Sequence, residues 1–363
     1  MNLKLWLSLL ALAGLCAMVF FPRFSAQAGE IPVKSAYRIL DPIRHGNLTV
    51  FPVVASTSHD TREFFTLDEG IRSGEVVVTE SGSVQPLMRR RGSYISQGGA
   101  QVNQLVLVNN SKQPLLLLAG EIVTGGKQDR VIGKDRLVPA ESDPIDLSVF
   151  CVEPGRWTVS SAKFGSMGSA MAQPAVRAKA MAAKDQGQVW EQVRKQQAEI
   201  ASNLEASPAA SAAVAGTTSY ARVMENAEVK QQVDAVAAPM ERDYRSLIQQ
   251  LRERNAVGVV VAVNGEIIWA DIFASTSLLE KYWPKLVRSY AAEAIVSRAT
   301  ATGVNVKLAQ DFLDNMGGRR ETVESEPGLY RHTEITGDGF KAFELTSLLP
   351  KTGFDLHVAK MAE

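Results

Sequence analysis

The sequence predicts an α+β protein. The expected core is an antiparallel β-sheet, sandwich- or barrel-like, with a long helical insertion, a β-hairpin plus helix and a small C-terminal β-unit. Three observations carry this expectation. Short apolar runs rich in Val, Ile and Leu recur about every ten residues between positions 47 and 152, with Gly, Pro and Asn between them. Helical periodicity then dominates from 175 to 255. Finally, Asn264-Gly265 separates the runs VGVVVAV and EIIWADIF, and Asn-Gly accepts the positive φ angles of a type I′ hairpin turn. Hydrophobic residues make up 45% of the 363 and charged residues 21%, which supports a sizeable core and excludes a disordered chain.

The first 28 residues read as a Sec signal peptide. Lys4 supplies the positive start, Leu5 to Phe21 is nearly all apolar, and Ala26-Gln27-Ala28 offers small residues for cleavage after Ala28. The alternative is an N-terminal membrane anchor. Export implies a periplasmic or secreted location, with no membrane span after signal cleavage. Cys16 leaves with the signal and Cys151 remains alone, so no internal disulfide can form. The sequence has 39 basic and 39 acidic residues; loss of Lys4 and Arg23 leaves 37 − 39 = −2. That balance argues against nucleic acid as a partner.

After a lead-in (29–46), a main domain is expected over 47–300 and a C-terminal helix plus strands over 301–363. Asn47 to Val54 reads as a strand with Pro52 near its edge. Thr66 to Glu69 spells a capping box, with Gly74 ending that helix. Strands are expected at Glu75–Glu80, Gln104–Val108, Pro114–Ala119, Asp129–Ile132, Arg136–Val138 and Ile145–Val152. Ser160 to Gln173, rich in Ser, Gly, Ala and Met, reads as a loop that orders on something. Ala175–Ala206 is helical, with Trp190, Val193, Ile200 and Leu204 on one stripe and Gln197 breaking it. Residues 207–219 read as a Ser/Ala linker. Tyr220–Asn255 is helical again, with Pro239 forcing a kink or restart. Ser277 to Glu280 spells a second capping box for a helix through Ala294. A helix at Val306–Met316 and strands at Leu329–Ile335, Phe340–Thr346 and Phe354–Val358 complete the chain.

The stretch Leu115–Trp157 holds the candidate chemistry. Lys127, Arg130, Lys134 and Arg136 lie close together beside flexible Gly125-Gly126. Gly-rich backbone can aim N–H groups at an anion, and Arg grips phosphate in a fork. The spacing is not that of a P-loop, because Glu121 and Gln128 stand where Gly and Ser/Thr belong. A solvated sheet edge is the competing reading of the same charges. Cys151 in an apolar run reads first as a small core residue, and Glu153 nearby would raise its pKa. Glu121 and Glu153 are the general acid–base candidates. Arg156-Trp157 either stacks to hold a strand end or lines a pocket. His45, His59, His332 and His357 lack metal spacing, so neither metal nor cofactor is expected. Ser160-x-x-Lys163 and Lys351-Thr352-Gly353 match two of three penicillin-binding signatures, but the third is missing.

Gly120-Glu121, Gly126–Arg130 (GKQDR), Leu137–Ala140 (LVPA), Cys151-Val152-Glu153 and Arg156-Trp157, in that order, resemble the signature of the ARG (ADP-ribosylglycohydrolase) and rhodanese-phosphatase-superfamily-associated protein domain family. The likeness runs from about Asn47 to about Ala294. It implies association with ADP-ribose and phosphate chemistry and no particular reaction.

The leading functional expectation is therefore an exported binding module for a small anionic ligand, phosphate-bearing and nucleotide- or ADP-ribose-like. Lys127, Gln128, Arg130, Arg156 and Trp157 would be its contacts. A hydrolase using Glu121 and Glu153, or Cys151, is the first alternative. A structural or interaction protein with a partner in the cell envelope is the second.

Overall fold

The computed structural model describes residues 36–81, 100–250, 254–296, 303–325 and 328–363. The expected signal segment 1–28 lies outside them. The chain begins with β1 (Tyr37–Ile39), β2 (Ile43–His45) and β3 (Leu48–Ala55), so part of the expected lead-in is already sheet. Pro52 does not sit at an edge. β3 lies between β1 and β2 on one side and the later strand Ala256–Val263 on the other. Pro52 is tolerated because β1 and β2 pair with Val53–Ala55 and Leu48–Val50, leaving a gap at Phe51-Pro52 where no N–H is required.

β4 (Phe65–Thr66) leads into helix α1 (Leu67–Ser73), whose capping box is fully formed and whose end is Gly74 at φ 73°. Next come β5 (Val76–Thr79), β6 (Gln104–Asn109), β7 (Leu115–Leu117), β8 (Glu121–Thr124), β9 (Arg130–Ile132), β10 (Arg136–Val138), β11 (Ile145–Cys151) and β12 (Gly165–Met171). Six of them form one sheet in the order β12-β8-β9-β11-β6-β5. The Phe164 N–H donates to Val78 O across its two edges at 2.9 Å, so the sheet nearly closes into a barrel. The barrel's interior is Leu, Val and Ile, with Phe164 among them. The three-stranded sheet β10-β7-β4 contributes Leu115, Leu117 and Val138 to the same core. β12 replaces the expected loop. Its composition hides a strand because β12 is held by backbone pairing to β8, with a large register break after Ser166.

The helical insertion is more divided than its periodicity suggests. It comprises α2 (Pro174–Ala178), a π-turn (Lys179–Ala183), α3 (Gln186–Asn203), α4 (Pro208–Ala215), α5 (Tyr220–Glu225) and α6 (Ala227–Gln250). Lys184 at φ 53° breaks the first stretch, and Asp185 caps α3. The expected Ser/Ala linker contains α4: Pro208 fits the first helical turn, and alanine has the highest helix propensity. The second break falls at Asn226, whose side chain accepts from Glu228 N, while Pro239 is carried inside α6. The predicted stripe holds at Val193, Ile200 and Leu204, and only at its start does Val189 replace the half-buried Trp190. Val189, Val193, Gln196 and Ile200 are buried, and Gln197 binds the carbonyl of Val214 at 2.7 Å.

β13 (Ala256–Val263) and β14 (Glu266–Phe273) form the expected hairpin, with Asn264 at φ 53° and Gly265 at φ 81°. Helix α7 (Thr276–Val296) follows, capped by buried Ser275, which accepts from Leu278 N at 3.1 Å. The box expected at Ser277 does not form: the helix starts earlier, with Ser275 as a simple cap and Leu278, which has no acceptor to reach back, at the third helical position. α8 (Val306–Asp314), β15 (Arg319–Glu324), β16 (Tyr330–Gly337), β17 (Phe340–Ser347) and β18 (Asp355–Ala362) complete the fold. β18 pairs with β14, so the C-terminal strand unit continues the large sheet, in the order β1-β3-β13-β14-β18-β17-β16-β15 with β2 beside β3.

Both faces of the central strands are covered, which is why VGVVVAV shows no alternation. Val259, Val261 and Val263 pack toward α6 and α7, whereas Val260 and Ala262 pack with Ala309 and Leu313 of α8. Among the described residues no helix is long and apolar enough to cross a membrane.

The hairpin turn offers a direct check. Gly265→Val forces a β-branched residue to a left-handed angle, and should cost about 1–2 kcal/mol in urea denaturation. An unchanged midpoint would mean that the turn does not fix this register.

Candidate functional site

Three groups of polar side chains stand out. The first is the stretch singled out by sequence. Gly125 N donates to Asp129 Oδ1 at 3.0 Å, and Lys127 N donates to Glu80 Oε1 at 2.8 Å. The glycine loop thus already receives carboxylates from the protein itself. Arg156 binds Glu153 Oε2 at 2.5 Å and Asp129 Oδ1 at 3.3 Å, and also donates to the carbonyls of Gly126 and Thr158, both at 2.9 Å. Gln128 Nε2 donates to Glu153 O at 3.2 Å. Arg130 is fully buried and donates to Gln128 O at 2.7 Å; burial lowers its pKa. Folding therefore gathers Gln128, Asp129, Glu153 and Arg156, with Ser219 donating to Asp129 Oδ2 at 3.1 Å. They meet as interlocked supports. Lys127 and Trp157 differ: the Lys127 ammonium lies 4.8 Å from the Trp157 ring, and that ring is 44% exposed. Cys151 is buried and unbridged, and burial pushes its thiol pKa up.

The second group lies in the core and was not apparent from sequence. Arg177 of α2 grips Asp271 of β14 with two bonds of 3.0 Å and stacks its guanidinium 4.4 Å from the Trp269 ring. His357 of β18 reaches Asp271 Oδ1 at 3.1 Å through Nε2 and Asp135 Oδ2 at 2.6 Å through Nδ1. Tyr290 of α7 donates to Asp271 Oδ2, and Ala119 N donates to Asp135 Oδ1 at 2.7 Å. Every side chain in this chain of contacts is buried. Asp271 and Asp135 sit below the usual carboxylate range: burial alone would raise them, but Arg177 and His357 outweigh it. The two carboxylates likewise raise His357 to about 9 against its desolvation. Gly120, at φ 96°, makes room: a Cβ there would meet Arg177 Cγ at 2.6 Å.

A parallel set fixes Glu121. Its Oε1 takes the Lys285 ammonium at 2.7 Å, its Oε2 accepts from Leu118 N at 2.8 Å, and Lys285 also contacts Asp68. Burial raises the Glu121 pKa, opposed by Lys285. Glu121 and Glu153 thus belong to different clusters and share no partner.

The sequence does carry a faint trace of this core. Asp271 has the parity of Trp269 and Phe273 on β14, and His357 that of Ala359 and Met361 on β18, so each is a charge in an inward register. Nothing local pairs Asp135 with a histidine 222 residues away.

The third group borders an open cleft of about 540 Å³ between residues 58–62, Asn255 and the start of α7. His59 stacks on Phe354 with ring centroids 4.0 Å apart. Thr61 and Ser275 exchange a buried hydroxyl bond of 2.5 Å. Arg62 forms a fork with Asp60 at 2.6 and 2.9 Å. Ser58, Thr276, Ser277 and Glu280 also line the cleft. Among the described residues no cluster of His, Cys, Asp and Glu is arranged to hold a metal ion.

The class is thus an α+β protein in which a near-closed barrel and a long antiparallel sheet are joined through buried ion pairs. The sequence profile of the ARG and Rhodanese-Phosphatase-superfamily-associated Protein domain matches residues 36–359, and the chain belongs to that family. The match includes β1, β2 and most of the C-terminal strands, beyond the span the motifs suggested. No curated protein and no solved structure matches the chain.

Two outcomes follow for the core. Asp271→Asn leaves Arg177 buried without its carboxylate and should cost about 3–5 kcal/mol in denaturation; a loss below about 1 kcal/mol would show that the pair is not needed. His357 is held protonated in the fold well above its ordinary value, so its contribution is complete below about pH 6.5 and is lost as pH rises toward about 9. Stability should fall across that window in the natural chain, and His357→Gln should remove this part of the slope. An identical slope in the variant would assign it to other groups.

Proposed function

We propose that the protein is exported and binds a small, phosphate-bearing ligand in the cleft at the start of α7. The observation that carries this reading is where the uncommitted donors lie. In the glycine loop, N–H groups and Arg156 are occupied by Asp129, Glu80 and Glu153. At the cleft, the N–H groups of Thr276 and Ser277 precede the first intrahelical bond, which is Leu279 N to Ser275 O. They stand at the positive end of a 21-residue helix dipole. Neither has an acceptor among the described residues.

Part of the lining suits such a ligand, although the carboxylates of Asp60 and Glu280 also border the cleft. Hydroxyls of Ser58, Thr276 and Ser277 and the amides of Gln249 and Asn255 can bond a sugar-like portion. The exposed Arg62 guanidinium can turn from Asp60 toward phosphate, since a surface pair of this kind contributes little. The volume falls within the range of ordinary ligand sites. ADP-ribose-like and nucleotide ligands fit this chemistry. The hydrolase alternative lacks comparable support, because Glu121 and Glu153 are buried in separate ion pairs and Cys151 is a desolvated thiol.

Ser277→Asp separates ligand binding from folding. A carboxylate in the first turn of α7 favours the helix but repels an anion. Titration calorimetry with inorganic phosphate, ADP and ADP-ribose should give saturable binding that weakens about tenfold or more in the variant, at unchanged or higher melting temperature. Absence of binding by all three, or equal affinity in Ser277→Asp, would refute the cleft as the site.

A further inference from the structure

A second hollow lies between β12 and helices α5, α6 and α7. It has a volume of about 90 Å³. Its origin is the register break in β12: Ser166 pairs with Val123 and Met171 with Glu121, so residues 167–170 stand opposite Ile122 alone. That excess lifts the strand from β8, and Gly168 at φ 47° makes the turn. Met167, Ala170 and Met171 then form one wall, with Met224, Val233 and Ala292 opposite. The Ser/Gly/Ala/Met stretch that reads from sequence as a loop thus builds an apolar crevice. Thioether side chains adapt to apolar guests of varied shape. An apolar hollow of this kind gains little by holding water.

The mouth carries charge of both signs. Arg288 is engaged, with Asp234 at 3.3 Å and Glu241 at 3.1 Å. Lys230 and Glu225 also line the hollow, both exposed, and neither side chain has a hydrogen-bond or ion-pair partner among the described residues. One free ammonium and one free carboxylate over a small apolar floor are complementary to a zwitterion with a short hydrocarbon arm. A purely anionic or purely cationic guest would leave one of the two charges unanswered.

We propose that this crevice binds a free α-amino acid with an apolar side chain of the leucine, valine or methionine class. The ligand's carboxylate meets Lys230, its ammonium meets Glu225, and its side chain enters between the methionines. This site shares no lining residue with the cleft at α7, so either can fail without the other.

The test is titration calorimetry of the full chain with L-leucine, L-methionine, 4-methylpentanoate, 3-methylbutylamine and L-serine. Leucine and methionine should bind saturably, and the three others about tenfold more weakly or worse, each lacking one of the recognised groups. Lys230→Ala and Glu225→Gln, both at exposed positions, should each weaken leucine about tenfold without moving the melting temperature. Ala292→Leu, which fills the floor, should abolish binding. ADP-ribose should not compete. No saturable binding of leucine or methionine would overturn the assignment. So would equal affinity for 4-methylpentanoate, or unchanged leucine affinity in both charge variants.

Discussion

The fold depends on charges that have been taken out of water in pairs. A buried guanidinium or carboxylate costs several kcal/mol in desolvation and is tolerated only where a partner of opposite sign and further hydrogen bonds surround it. Asp271 meets that requirement from three directions: Arg177 on α2, His357 on β18 and Tyr290 on α7. His357 passes the connection on to Asp135, which follows β9 of the barrel. Lys285 repeats the device one turn earlier on α7, joining Glu121 of β8 and Asp68 of α1. Helix α7 is therefore the member that barrel and sheet share. Such pairs contribute less to net stability than to geometry, since a misplaced element would leave a bare charge in the core.

This explains why so much of the fold could be read from sequence while its centre could not. Strand positions follow from β-branched runs, and the hairpin from Asn264-Gly265, because those signals are local. The capping box at Thr66 is local too. What failed had a non-local cause. β12 forms because β8 offers an edge, although its own residues have poor strand preference. Pro52 is interior because two short strands leave a gap beside it. The helix α7 cap lies at Ser275 because the chain arrives there already fixed by Thr61. The core network joins residues from five separate segments, and no spacing rule describes it.

The candidate site shows the same division. Residue types suited to anion recognition were visible between Lys127 and Trp157, and folding does bring most of them together. Their partners were not visible. Glu80, Asp129 and Glu153 occupy the donors that a ligand would need, turning the family's motif residues into a brace between the barrel strands and Ser219 at the start of α5. Open polar surface accumulates instead where α7 begins, at the end of the same helix that carries the buried pairs. A rigid helix anchored along its length presents its first turn in a fixed position, which is the condition for a preformed site. With Cys151 unbridged, these ion pairs rather than a disulfide at that position tie the elements together.

Native-state hydrogen exchange tests the shared anchoring most directly. If α7 and its ion pairs bind barrel and sheet into one cooperative unit, the slowest amides of β9, β11, β14 and β18 should open with the same free energy and the same denaturant dependence. Barrel amides that exchange through a separate, much cheaper opening while β14 and β18 stay protected would contradict that account.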